Sequence, residues 1–175
     1  MALNTPQYLE QFHDQTQALG ADAVTSDFTL EIIGAESLYL RTKGFPIPTT
    51  ASQGTIEIPL PLGGQRGEAV QNKTYFTGSV TFMETVDAYV RNTIARIATV
   101  GIAGGPAGYF NAWAYHGDPQ NYTYRMYLRH AHIALSAGTQ TDMSSNTEVL
   151  LIEGDISYHY YGRQEMGNRK LLSGY

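Results

Sequence analysis

Apolar and polar residues alternate from Tyr75 to Phe82, with Phe76, Val80 and Phe82 on one side and Tyr75, Thr77, Ser79 and Thr81 on the other. A period of two belongs to a strand with one buried face. After Glu84 the period lengthens: Val86, Tyr89, Val90, Thr93, Ile94 and Ile97 recur at helical spacing, while Glu84, Asp87, Arg91, Asn92 and Arg96 fall off that stripe. This predicts an amphipathic helix whose core face is Val86, Val90, Ile94 and Ile97. Glu84 and Asp87 near its start and the two arginines further on suit the helix dipole. A strand that feeds such a helix supplies a sheet with something to cover it.

The same periodicity predicts the other elements. Thr5 and Pro6 are a hydroxyl cap and an N1 proline, opening a short helix with Tyr8, Leu9 and Phe12 as its apolar positions. Asp27–Ile33 and Ser37–Lys43 alternate as strands, and the connection Gly34-Ala35-Glu36 predicts that they form a hairpin. Pro46 and Pro48 break the ladder after them, and Thr55–Leu60 is a short strand with an edge-type proline at Pro59. The glycine-rich stretches at 61–69 and 101–108 are expected as loops. Neither has the Gly-Lys-Ser/Thr of a phosphate loop, and the second follows a helix, the wrong context for a dinucleotide fingerprint. Tyr122–Ala137 predicts a long strand. Thr147–Tyr161 predicts another, with Leu150, Ile152, Ile156, Tyr158 and Tyr160 on its dry side, Glu153, Asp155, Ser157 and His159 on its wet side, and a candidate bulge at Gly154. A wet face of this length suits an antiparallel sheet with one solvated side. The expected fold class is mainly β, an antiparallel sandwich or barrel with one flanking helix.

Composition narrows the function. The 175 residues fit one domain with a sizeable core, and a net charge of −5 argues against a protein that grips nucleic acid through its phosphates. Cysteine is absent, which excludes disulfides, thiolate metal sites and cysteine nucleophiles. The N-terminus lacks the basic and apolar regions of a signal peptide, and no run approaches the about 18 apolar residues of a membrane span.

Candidate chemistry is sparse. His130 and His132 form an H-x-H pair that would need Glu153 or Asp155 across the sheet to make a metal site. A catalytic pair made of those two carboxylates is geometrically possible, though neighbouring wet acids on a strand are ordinarily solvated surface. No G-x-S-x-G is present. Trp113, amid Tyr109, Phe110 and Tyr115, suits a core or an interface, and alternatively a glycan-stacking surface.

Three pieces carry a family resemblance: D-F-T-L-E-I-I-G from Asp27, V-T-F-M-E-T with the helix D-A-Y-V-R-N-T-I-A-R-I, and the pair Y-T-Y-R-M-Y-L-R-H-A-H-I-A-L-S-A and E-V-L-L-I-E-G-D-I-S-Y-H-Y-Y. Together they resemble the tail-tube proteins of contractile-tailed bacteriophages, a family related to the haemolysin-coregulated protein of type VI secretion. The resemblance implies an N-terminal arm at 1–26, a tail-tube barrel domain at 27–161 and a C-terminal arm at 162–175. It further implies hexameric rings whose sheets join into one inner barrel and stack into a tube within a virion, assembled in the host cytoplasm. The implied partners are other copies of the chain, sheath and baseplate proteins, and DNA that passes through without being held. No enzyme activity, catalytic residue, metal, cofactor or membrane is implied. Glu153, Asp155 and Ser157 then become the expected channel lining. The long N-terminal segment, the glycine-rich 101–108 stretch and the basic tail depart from the family pattern, which keeps a tube-initiating or baseplate-hub ring open as an alternative. A β-barrel metal enzyme using the H-x-H pair and a glycan-binding module using Trp113 remain as readings from other classes.

Overall fold

The computed structural model describes residues 5–18, 25–103, 105–136 and 147–168. Helix α1 spans Pro6–Ala18. The strands are β1 (Phe28–Ile32), β2 (Thr42–Gly44), β3 (Thr55–Pro59), β4 (Gln65–Ala69), β5 (Tyr75–Met83), β6 (Phe110–Gly117), β7 (Tyr122–Leu135), β8 (Leu151–His159) and β9 (Gln164–Met166), and α2 (Tyr89–Thr99) lies between β5 and β6. The main sheet runs β1-β6-β7-β8-β5-β2, with β9 added on β7, and β3 and β4 form a separate two-stranded ribbon. All pairings are antiparallel, and the sheet curls into a nearly closed barrel with few helices.

The curl depends on β7, which pairs with β6 and β9 in one half of the sheet and with β8 in the other. Its ladder slips between Arg129 and His132, and His130 there adopts a left-handed φ of 53°. An irregularity of this kind bends a strand and sharpens its twist. The amide of His130, turned out of the ladder, donates instead to Asn111 Oδ1 at 3.0 Å. The bend is therefore at His130 and not at Gly154, which stays in register with both Val80 and Leu135. Gly154 answers another need: a Cβ there would lie 2.6 Å from Ala134 O, so β7 and β8 approach more closely than a side chain allows.

Inside the curl, Leu30 and Ile32 of β1, Val80 and Phe82 of β5, Ala112 and Ala114 of β6, Leu128 of β7, and Ile152, Ile156 and Tyr158 of β8 form one core. Helix α2 adds Val90, Ile94 and Ile97, at 0%, 4% and 3% exposure. Each such aliphatic side chain contributes about 1.5–3 kcal/mol by leaving water.

Val86 does not share that face. It is 105% exposed, because the helix begins only at Tyr89, after Ala88 at a left-handed φ of 53°. The residues between β5 and α2 form a turn closed by Glu84, whose carboxylate accepts the N–H groups of Thr85, Val90 and Arg91. The segment at 36–41 is a 3-10 helix, not the second strand of a hairpin. Leu38 is fully buried and Leu40 is 63% exposed, so residues two apart point apart, as a three-residue turn requires. β1 pairs with β6 instead. Two segments expected as loops or as aromatic filler are strands: Gln65–Ala69 completes the ribbon, and Phe110–Gly117 lies between β1 and β7 in the sheet. A stretch of the expected C-terminal arm, Gln164–Met166, also joins the sheet. On α1, Leu9 and Phe12 are about half exposed.

Candidate functional site

The face of the sheet turned away from the core is set by register. Along β5 and β8, Thr77 stands opposite Ser157, Ser79 opposite Asp155 and Thr81 opposite Glu153. On the other flank of β8, His132 stands opposite Ser157 and Ala134 opposite Asp155. Three adjacent strands thus bring hydroxyls and two carboxylates onto one surface, with Arg129, opposite His159, as the cation at its end. Glu153 and Asp155 are exposed. Ser157 is only 8% exposed, and its hydroxyl donates to Thr77 Oγ1 at 3.3 Å, so it belongs to the floor of this surface and not to its projecting groups.

The same face continues past the bend with a different chemistry. The Arg125 guanidinium lies 4.1 Å from the Trp113 ring centroid and donates to Glu165 Oε2 through Nε and Nη2, at 2.9 and 2.6 Å. Arg163 lies 5.3 Å from the same ring and 4.8 Å from that of Tyr127, and donates to Glu165 Oε1 at 2.8 Å. These bonds to the two arginines hold the Glu165 carboxyl below the usual carboxylate range. Next to them the Tyr115 hydroxyl donates to Glu31 Oε2 at 2.6 Å. Burial, and then that bond, push its pKa up to about 12, so it remains a donor throughout the ordinary pH range. The network ties β9 to β7 and β6.

This arrangement bears on the other candidate residues. Trp113 is half-buried and stacked by its own chain's arginines, so the surface a sugar ring would need is already in use. His130 and His132 do not converge on one point. Tyr109 stacks on His130 at 4.1 Å and meets His132 edge-on at 5.7 Å, while Asp155 stands opposite Ala134 and Glu153 further along the strand. Among the described residues no group of three or more His, Cys, Asp or Glu is placed to hold a metal ion. His130 and His159, with ring centroids 6.4 Å apart, instead link Tyr109 to Tyr75 and Tyr161 in a chain of aromatic contacts at one end of the polar face.

The partners of Glu153 and Asp155 on β5 are not visible in a linear reading. The alternation of Thr77, Ser79 and Thr81 marks them as wet, but their place beside β8 comes from pairing between segments about 75 residues apart in the chain. Among the described residues no helix is long and apolar enough to cross a membrane.

No protein-family model and no curated protein matches the chain. Solved structures do. The chain is similar to the tube-terminating cap of the anti-feeding prophage, with a TM-score of 0.56 and 12% identity over 84% of this chain and 93% of that one. It is similar to the sheath/tube terminator of the PVC extracellular contractile injection system, with a TM-score of 0.59 and 12% identity over 86% and 99% of the two chains. A chain of the PVC sheath–tube complex matches with a TM-score of 0.50 and 13% identity over 87% and 96%. At these identities the likeness is one of fold. The fold is that of tube-associated components of contractile injection systems, spanning nearly the whole of each matched chain.

Proposed function

We propose that the chain is a ring-forming structural subunit of the tube of a contractile injection apparatus, with the β5–β7–β8 polar face turned to the lumen. The observation that carries this reading is the joint placement of Thr77, Ser79, Thr81, Glu153 and Asp155 on one face of a fold shared with a sheath/tube terminator and a chain of a sheath–tube complex. Sheet edges at β1 and β2 offer unpaired backbone groups to neighbouring copies, which removes the hazard of open edges. The β3–β4 ribbon presents Ile56, Ile58 and Leu60, at 54%, 37% and 45% exposure, for a further contact between copies. A hexameric ring closed in this way would carry repeated carboxylates and hydroxyls on its wall, and DNA would pass without being held, because phosphate binding needs clustered cations. The sheath and baseplate would be its outer partners, and the role is structural, without catalysis.

A second position in the same apparatus is favoured by one observation. The cap and the terminator match with TM-scores of 0.56 and 0.59, against 0.50 for the sheath–tube chain. A terminal ring of the tube is therefore the alternative to the repeating subunit. Negative-stain microscopy of the purified full chain separates the two: long stacked tubes mark a repeating subunit, and single rings that do not stack mark a terminal one. Monomers alone, over a wide concentration range in sedimentation, would refute both.

A further inference from the structure

A cleft of about 750 Å³, lined by no residue of the polar sheet face, opens between the 3-10 helix at 36–41 and α2. Arg41 and Arg96 line it together with Asn92 and Asp87, and Leu40 and Tyr89 supply its apolar lining. Leu40 is 63% exposed although Leu38, two residues away, is fully buried, and Tyr89 and Val86 beside it are 39% and 105% exposed. The 3-10 geometry that buries Leu38 is what turns Leu40 outward, so the apolar rim is built into the fold.

The charges point to the occupant. Among the described residues the ion pairs are Arg66–Glu68, Arg125–Glu165 and Arg163–Glu165, so neither Arg41 nor Arg96 has a carboxylate partner, and Asp87 pairs with neither. A chain of net charge −5 thus keeps two unpaired guanidiniums in one cleft beside exposed aliphatic and aromatic side chains. The cleft is open and its lining mixes apolar with polar and charged groups, unlike the enclosed apolar pockets that take small molecules. It has an acid among its lining residues and too few cations for a phosphate backbone.

We infer that this cleft docks a short acidic segment of another protein, with carboxylates reaching Arg41 and Arg96 and an aliphatic anchor set against Leu40 and Tyr89. Guanidinium forks suit carboxylates in this role. The site lies within one chain and shares no residue with the polar face of Glu153 and Asp155, so it does not depend on ring formation.

The test uses the full chain and two fluorescein-labelled peptides of about twelve residues, one built from Glu and Leu and one with every Glu replaced by Lys, a length suited to groove recognition. Fluorescence anisotropy should show the acidic peptide binding and the basic one not, with affinity falling as salt rises. Arg41→Glu with Arg96→Glu should weaken binding about tenfold or more, and Leu40→Ser should weaken it with less effect on the salt dependence. Both arginines are exposed, so unchanged far-UV circular dichroism confirms that the fold survives. Equal binding of the two peptides, binding of neither, or a double variant that binds as tightly as the parent would overturn the inference.

Discussion

Glu84 caps helix α2 from seven residues away: its Oε2 accepts the Arg91 N–H at 3.0 Å, while Oε1 accepts that of Val90 at 2.9 Å. Desolvation alone would raise its pKa, but the N–H donors of Thr85, Arg91 and Val90 together with the Arg91 charge outweigh it, and the carboxyl is held below the ordinary value of 4.5. A carboxylate with a lowered folded pKa stabilises the fold fully above 4.5, and its contribution fades as pH falls through the folded value. Glu84→Gln should cost about 1 kcal/mol at neutral pH in urea unfolding, as loss of a helix cap does. The gap between variant and parent should close once the pH lies below both pKa values. A gap that persists there would mean that charge is not what caps this helix.

Ile94 is 4% exposed, on the face where α2 covers the sheet. Ile94→Asp places an unpaired carboxylate in that layer and should cost about 3 kcal/mol or more. Soluble Ile94→Asp protein with the parent's unfolding midpoint would contradict the burial of this face.

Gly78 and Gly154 both face crowded space, and the obstacle differs. A Cβ on Gly78 would meet Pro46 Cβ at 2.7 Å, a side chain on the loop after β2, whereas on Gly154 it would meet Ala134 O at 2.6 Å and Leu135 Cα at 3.0 Å, which are backbone. The loop has one further tether, the Tyr158 hydroxyl donating to Pro46 O at 2.7 Å. Gly78→Ala should therefore shift the loop and destabilise by about 1–2 kcal/mol, while Gly154→Ala must push β7 and β8 apart and should cost about 3 kcal/mol or more. Thermal melting should rank Gly154→Ala clearly below Gly78→Ala, and the reverse order would refute this reading of strand spacing.

If Glu153 and Asp155 line a lumen, Glu153→Lys combined with Asp155→Lys converts acidic rings to basic ones without touching the core. Assembled particles should then retain DNA in a manner released by salt. Particles that assemble and retain no DNA at low salt would remove these two residues from the channel wall.

Local periodicity carries much of this fold. β5, β7 and β8 alternate visibly, and the stripe Val90, Ile94 and Ile97 stands out at helical spacing. Val86 fits that stripe numerically, yet Ala88 breaks the helix before it, a backbone event that no side-chain pattern reports. Leu38 and Leu40 mimic a strand because alternation over so few residues does not distinguish a strand from a 3-10 turn. β6 hides for the opposite reason: its core side carries Phe110 with the small Ala112 and Ala114, and its outer side Trp113 and Tyr115, so large rings fall on both sides and blur the alternation. Those rings are tolerable outside because Arg125 and Arg163 cover Trp113. For the polar surface, the residues on β8 follow from alternation, but Ser157 proves buried and the partners on β5 follow only from long-range register.

The β3–β4 ribbon has no third strand and no covering helix among the described residues, and it is exposed along its whole length. Two strands alone are marginally stable in water. In the free chain this unit should open and reclose independently of the barrel, so the amides of residues 55–69 exchange with deuterium while those of β6 and β7 remain protected. Any chain that settles on the ribbon slows that exchange. If copies meet at the ribbon as proposed, that slowing is a clock for assembly, registering their first contact before a closed particle exists to be seen.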